Sequence, residues 1–162
     1  MKIEGMAHVY GDNIDTDRII PGKYTKTLDL QSLADHVMED LDPEFSKKVK
    51  KGDIIVAGEN FGCGSSREQA PLALKTAGIS LIVAKSFARI FFRNAINIGL
   101  PIIEVKDYNI QPGDIVTADL IDGTITVNEE TYIGTKMPQV MVDILNEDGL
   151  VTYLKKHKTY HL

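Results

Sequence analysis

The segment Asn60–Ala70, "NFGCGSSREQA", brings together the only cysteine of the chain, two glycines, two serines and an arginine. Several chemistries compete for it. A glycine-rich turn between a strand and a helix is a place where anions bind. The phosphate-loop pattern, however, needs Gly-Lys followed by Ser or Thr, and this segment has no lysine. The dinucleotide fingerprint needs a third glycine where Arg67 stands. Both nucleotide readings fail on spacing. Cys63 as a nucleophile would need a nearby base, and none of His8, His36, His157 and His161 has a local claim on it. A small residue in a tight turn is the plainer reading.

Ser65 stands three residues before Glu68, the spacing of a capping box, and Ser66 to Gln69 offers a second register. Helix initiation alone would explain both serines. A serine at a helix start also meets unpaired N–H donors and the positive end of the macrodipole, which favour an alkoxide. Arg67 adds a planar fork suited to a carboxylate. Together these types suit abstraction of a proton next to a carboxylate.

The flanking elements must hold this segment. "IEGMAHVYG" reads as a strand, and the loop Gly11–Thr27 is rich in Asp, Asn and Thr, which favour turns. Asp29 suits an N-cap for a helix over "LQSLADHVMEDL", and Asp42-Pro43 opens a further helical turn. "DIIVAG", "ISLIVA" and "LPIIEV" are apolar strands. They alternate with helices predicted over Ser65–Ala77 and "SFARIFFRNAINI", stopped by Gly78 and Gly99. Such alternation implies parallel strands covered by helices. Beyond Gly113, Asp122-Gly123 between alternating runs marks an antiparallel hairpin, and the C-terminal helix is interrupted around Gly149.

The 162 residues suit one α/β domain spanning 1–162, with parallel and antiparallel parts. A net charge of −5 without a basic stripe argues against nucleic-acid binding. One cysteine excludes an internal disulfide or an all-cysteine metal centre within the chain. No metal site is expected. No apolar run has membrane-spanning length and no signal peptide is evident, so the expected location is the cytoplasm.

Three separated motifs carry a resemblance. "GENFGCGSSREQAPLAL" resembles the signature of the small subunits of the 3-isopropylmalate dehydratases, a branch of the aconitase family. "GDNIDTDRIIPGKY" resembles their N-terminal motif, and "AKSFARIFFRNAINIGLPII" their second helix and third strand. The resemblance weakens after Lys106. It implies a three-layer β/β/α swivelling domain and a hydro-lyase that converts 2-isopropylmalate into 3-isopropylmalate in leucine biosynthesis. It also implies a separate large subunit carrying a [4Fe–4S] cluster, without which this chain is inert, while this chain binds no cofactor itself. An open iron would act on the substrate hydroxyl as a Lewis acid. Matched by motif, Ser65 is the base, Arg67 holds a substrate carboxylate, and Asp17 organises the acid that handles the hydroxyl. Ser66 donates to substrate or caps the helix, while Asp15 and Thr16 serve equally well as turn stabilisers.

The loop Tyr24, Thr25, Lys26 and Thr27 departs from the family's Tyr-Leu-Arg-Thr, where leucine meets the apolar group and arginine a carboxylate. Substrate-binding roles for these four therefore leave 2,3-dimethylmalate, citramalate and homoaconitate as alternatives. A stand-alone dicarboxylate-binding module is the alternative from another class. Arg89, Arg93, Asn94 and Asn97 share a helix and offer substrate contacts, subunit contacts or helix-end fixing.

Overall fold

The protein is described by a computed structural model over residues 1–26 and 29–157. Seven strands form one sheet in the order β4-β3-β2-β1-β5-β6-β7. They are β1 (Lys2–Val9), β2 (Ile54–Ala57), β3 (Leu81–Ala84), β4 (Ile102–Glu104), β5 (Ile115–Asp119), β6 (Thr124–Val127) and β7 (Glu130–Ile133). The first four run parallel, with His8 beside Ile55, Ile55 beside Ile82 and Ile82 beside Ile102. On its other side β1 pairs antiparallel with β5, Ile3 facing Ala118, so β1 joins the two halves.

The halves differ in burial as their topologies require. Every residue of β2 and β3 is buried, as the central strands of a parallel sheet require. Along β5, exposed and buried residues alternate, as in a sheet with one wet face. Gly123 takes the left-handed turn position (φ +72°) at the expected β5–β6 hairpin. A second hairpin, β6–β7, lies outside the sequence expectation. Its turn is Asn128-Glu129, with φ of +51° and +70°, the backbone of a two-residue primed turn.

The helices are α1 (Thr16–Ile19), α2 (Leu30–His36), α3 (Phe45–Lys48), α4 (Gln69–Ala77), α5 (Arg89–Asn97), α6 (Gln139–Asn146) and α7 (Leu150–His157). Asp29 caps α2 by accepting from the Gln31 N–H at 3.0 Å. The helix expected to continue to Leu41 stops at His36, where Met38 turns left-handed and donates its N–H to Ile19 O at 2.7 Å. A long-range bond to α1 replaces the next helical turn. Gly78 (φ +112°) and Gly99 (φ +82°) follow α4 and α5 as predicted, and the break between α6 and α7 is at Asp148 and Gly149.

A buried pair fastens β1 to the start of β2. His8 Nε2 lies 2.7 Å from Asp53 Oδ2, which also accepts from the Lys50 N–H at 2.9 Å. The His8 ring meets the fully buried Phe45 edge-on at 5.3 Å. Among the described residues, no buried side-chain polar atom lacks a partner, as a well-satisfied interior requires.

Candidate functional site

Parallel pairing places the carboxyl ends of β1, β2 and β3 at the same edge of the sheet, where α/β proteins bind ligands. The three loops leaving that edge are joined by backbone hydrogen bonds. Gly58 N–H donates to Gly11 O (3.0 Å), Gly62 N–H to Ile14 O (2.8 Å) and Thr16 N–H to Cys63 O (2.9 Å). On the other side Phe61 N–H donates to Ser86 O (3.0 Å) and Ala88 N–H to Phe61 O (2.9 Å). The 60–67 segment is thus held between the 11–17 and 85–88 loops. Side chains add to this: Glu59 N–H donates to Asp12 Oδ1, and Asn60 N–H to Ser86 Oγ, both at 2.7 Å. The Tyr108 hydroxyl donates to Ala57 O at the same edge. Burial, with Asp12 and Glu59 nearby, pushes the Tyr108 phenol up to about 12, so it remains a donor.

The glycines of the segment have structural reasons. Gly62 has φ +82°, and a β-carbon there would lie 2.2 Å from Cγ of Phe91. Gly64 has φ +93° but more room, its added β-carbon 3.5 Å from that of Asp15. The Phe91 ring therefore takes the space beside Gly62 and leaves none there for a bound anion. Gly62→Ala combines left-handed strain with overpacking, each about 1–3 kcal/mol. We expect it to lower stability by roughly 2–5 kcal/mol, a large part of a typical total. A urea titration with an unchanged slope checks this; a loss below about 0.5 kcal/mol would contradict the packing argument.

Helix α4 begins at Gln69, four residues later than predicted, and Glu68 at its N-cap makes no side-chain capping bond. The capping boxes expected at Ser65 and Ser66 do not form. The reason is Pro71, whose ring excludes a helical carbonyl at Arg67, four residues back. Proline is tolerated only in the first turn, so the helix starts beyond Arg67. Ser65, Ser66 and Arg67 form a loop instead, with Arg67 N–H donating to Ser65 O at 3.0 Å.

Freed from the helix, Ser65 turns to the first loop. Its Oγ is exposed and lies 3.1 Å from Oγ1 of Thr16, which also donates to Ser65 O at 3.0 Å. Thr16 is buried at 2% exposure, so its hydroxyl has a fixed position. A residue that the sequence leaves as a possible turn stabiliser thus orients Ser65. Asp15 keeps the turn role, accepting from the Arg18 N–H at 2.8 Å to cap α1. Arg67 Nη1 pairs with the exposed Asp17 and reaches Ile20 O at 3.4 Å. Two sequence-predicted residues fifty apart are brought into contact. The Gly22 backbone packs against the Arg67 guanidinium, since a β-carbon there would lie 3.1 Å from Nη2.

Ser65, Ser66 and Arg67 line a cavity of about 310 Å³ with Thr16 and the first turn of α5, including Arg89 and Ile90. Tyr24, Thr25 and Lys26 are not among its lining residues. Tyr24 stacks on His36 at 3.8 Å and donates to Glu39 at 3.1 Å, while Thr25 Oγ1 donates to Gly22 O at 2.7 Å. Lys26 is exposed, and Thr27 lies outside the described residues. Arg89, left by the sequence among four residues with several roles open, is brought to the cavity wall. Its only signal in the sequence is a basic residue at the start of a helix that follows a strand.

The residues of this chain do not fit an iron–sulfur cluster. Cys63 is half-buried and single, and among the described residues no group of three His, Cys, Asp or Glu is placed to hold a metal. No described helix is long and apolar enough to cross a membrane.

Residues 31–107 match the model of the aconitase C-terminal domain. The chain is 54% identical over 159 residues to a 3-isopropylmalate dehydratase small subunit of Halothermothrix orenii, covering 96% of each. It is 53% identical over 161 residues to 3-isopropylmalate dehydratase small subunit 2 of Archaeoglobus fulgidus, covering 97% of each. A crystal structure of 3-isopropylmalate dehydratase from Methanocaldococcus jannaschii superimposes with a TM-score of 0.92 at 52% identity, over 98% of this chain and 96% of that one. Aconitase X of Thermococcus kodakaraensis shares the fold alone, at 16% identity and a TM-score of 0.52, over 78% of this chain and 90% of that one.

Proposed function

The chain belongs to the family of 3-isopropylmalate dehydratase small subunits, and on that premise we propose how its site works. It is the small subunit of a hydro-lyase that isomerises 2-isopropylmalate to 3-isopropylmalate in leucine biosynthesis. The reading rests above all on one juxtaposition: Ser65, Arg67 and buried Thr16 bordering a single cavity at the carboxyl edge of the parallel strands.

In this reading Ser65 Oγ, as the alkoxide, takes the proton from the carbon next to a substrate carboxylate. The electrons of that C–H bond become the carbon–carbon double bond as the neighbouring C–O bond breaks. Returning the proton to the other carbon, while water gives one proton back to the acid and adds its hydroxyl at the first, completes the isomerisation. The Thr16 hydroxyl, 3.1 Å away, turns its single proton from Ser65 O to the alkoxide as that charge forms. Arg67 neutralises the carboxylate as charge develops, and Asp17 holds the guanidinium in place and helps organise the acid that protonates the departing hydroxyl. Ser66 donates to substrate from the cavity wall. Departure of the hydroxyl is left to groups this chain lacks. They belong to a large subunit bearing a [4Fe–4S] cluster, which shares the cytoplasm with this chain.

The Thr25-Lys26 departure favours testing smaller substituted malates alongside isopropylmalate. Tyr24, Thr25 and Lys26 do not line the cavity in the isolated chain, so in this reading their substrate contacts depend on the partner. The test is an anaerobic reconstitution with a large subunit, assayed for hydration of isopropylmaleate, citraconate, dimethylmaleate and homoaconitate. We expect isopropylmaleate to give the highest kcat/KM and this chain alone to be inert. A complex that hydrates none of the four would defeat the enzyme reading; tight dicarboxylate binding by the isolated chain would then favour a binding module.

A further inference from the structure

Resting on the function proposed above, we infer that the first turn of α5 reads the substrate, Arg89 binding its second carboxylate and Ile90 contacting its alkyl group. A substituted malate carries two carboxylates, and Arg67 has part of its fork occupied by Asp17 and Ile20 O. Arg89 borders the same cavity, is exposed, and makes no ion pair or side-chain hydrogen bond among the described residues. It is the first residue of a helix with no side-chain cap and no acidic residue in its first turn. A cation there opposes the helix dipole, so the position is poor for stability and good for receiving an anion. The surrounding protein is acidic, with a net charge of −5, so this pair of arginines is a local exception.

Ile90 supplies the second half of the inference. It is 51% exposed, one of few large apolar side chains left so open, and it borders the cavity beside Arg89. The loop residues Thr25 and Lys26 offer no comparable apolar surface. A branched alkyl group on the substrate would cover Ile90, and hydrophobic contact of that size discriminates by methylene count.

The test uses the reconstituted complex and two acids, isopropylmalate and the smaller citramalate. Arg89→Gln is expected to raise KM for both about tenfold or more with kcat changed less than about threefold, the pattern of lost uniform binding. Arg89→Lys should recover part of the loss, and Arg93→Gln, on the adjoining groove, should match wild type. Ile90→Ser should lower kcat/KM for isopropylmalate by roughly tenfold relative to citramalate. An Arg89→Gln KM within twofold of wild type, or a KM defect that disappears at saturating large subunit, overturns the Arg89 assignment. An unchanged isopropylmalate-to-citramalate ratio in Ile90→Ser overturns the Ile90 assignment. If the wild-type complex turns over neither acid, the parent reading fails instead. Calorimetric binding of the same acids to wild-type and Arg89→Gln complexes then still decides the carboxylate contact.

Discussion

Ser65→Ala is expected to lower kcat of the reconstituted complex by about a thousandfold while leaving folding and assembly near wild type. Removing a positioned general base typically forfeits 10²–10⁴ in rate, so a thousandfold loss corresponds to about 4 kcal/mol of barrier. The structural loss is much smaller. Ser65 is exposed, and its Oγ has one contact, the 3.1 Å bond to Thr16. A bond of that kind contributes about 0.5–1.5 kcal/mol net. Thr16 would still donate to Ser65 O, a backbone atom that the substitution leaves in place. Activity and stability therefore separate in this variant. Measuring kcat beside the urea midpoint distinguishes a chemical from a structural effect. A variant retaining a tenth of wild-type turnover would sink the assignment and move attention to Ser66, which borders the same cavity.

Arg67→Lys should reduce kcat/KM by about 10²-fold or more, although charge is conserved. Lysine is a point charge that can pair with Asp17 or with a carboxylate, whereas the guanidinium fork serves both at once. Asp17 is 66% exposed and Arg67 27%, so their pair lies in the regime where ion pairs contribute about 0–1 kcal/mol. An incoming carboxylate can therefore compete for the guanidinium at little energetic expense. Fold stability in Arg67→Lys should change by less than about 1 kcal/mol, since the pair it weakens is worth no more than that. Steady-state kinetics on the complex, with thermal unfolding as the control, checks both parts. A lysine variant with near-normal kcat/KM would show that charge alone suffices and that the fork has no role.

Much of the fold was legible because its signals are local. The four-residue apolar runs of β2 and β3, the stop glycines Gly78 and Gly99 and the Asp29 cap act within a few residues of themselves. Where the reading failed, a longer-range or subtler term prevailed. Pro71 moved the start of α4 past Ser65, and the bond from Met38 to Ile19 O ended α2 early. Strand β7 escaped notice because its turn is Asn-Glu, without the glycine that marks the β5–β6 hairpin.

The candidate site divides in the same way. The types that suit proton abstraction beside a carboxylate, Ser65 and Arg67, are two residues apart and were readable as a motif. Their partners come from elsewhere: Thr16 and Asp17 some fifty residues earlier, Arg89 and Ile90 more than twenty later. No periodicity or spacing encodes that meeting. It depends on β1, β2 and β3 lying side by side and parallel, which delivers their three following loops to one edge. Residue chemistry is carried by each side chain and survives in the bare sequence. The geometry that makes it a site comes from strand order, a sum of burial and backbone pairing over the whole chain.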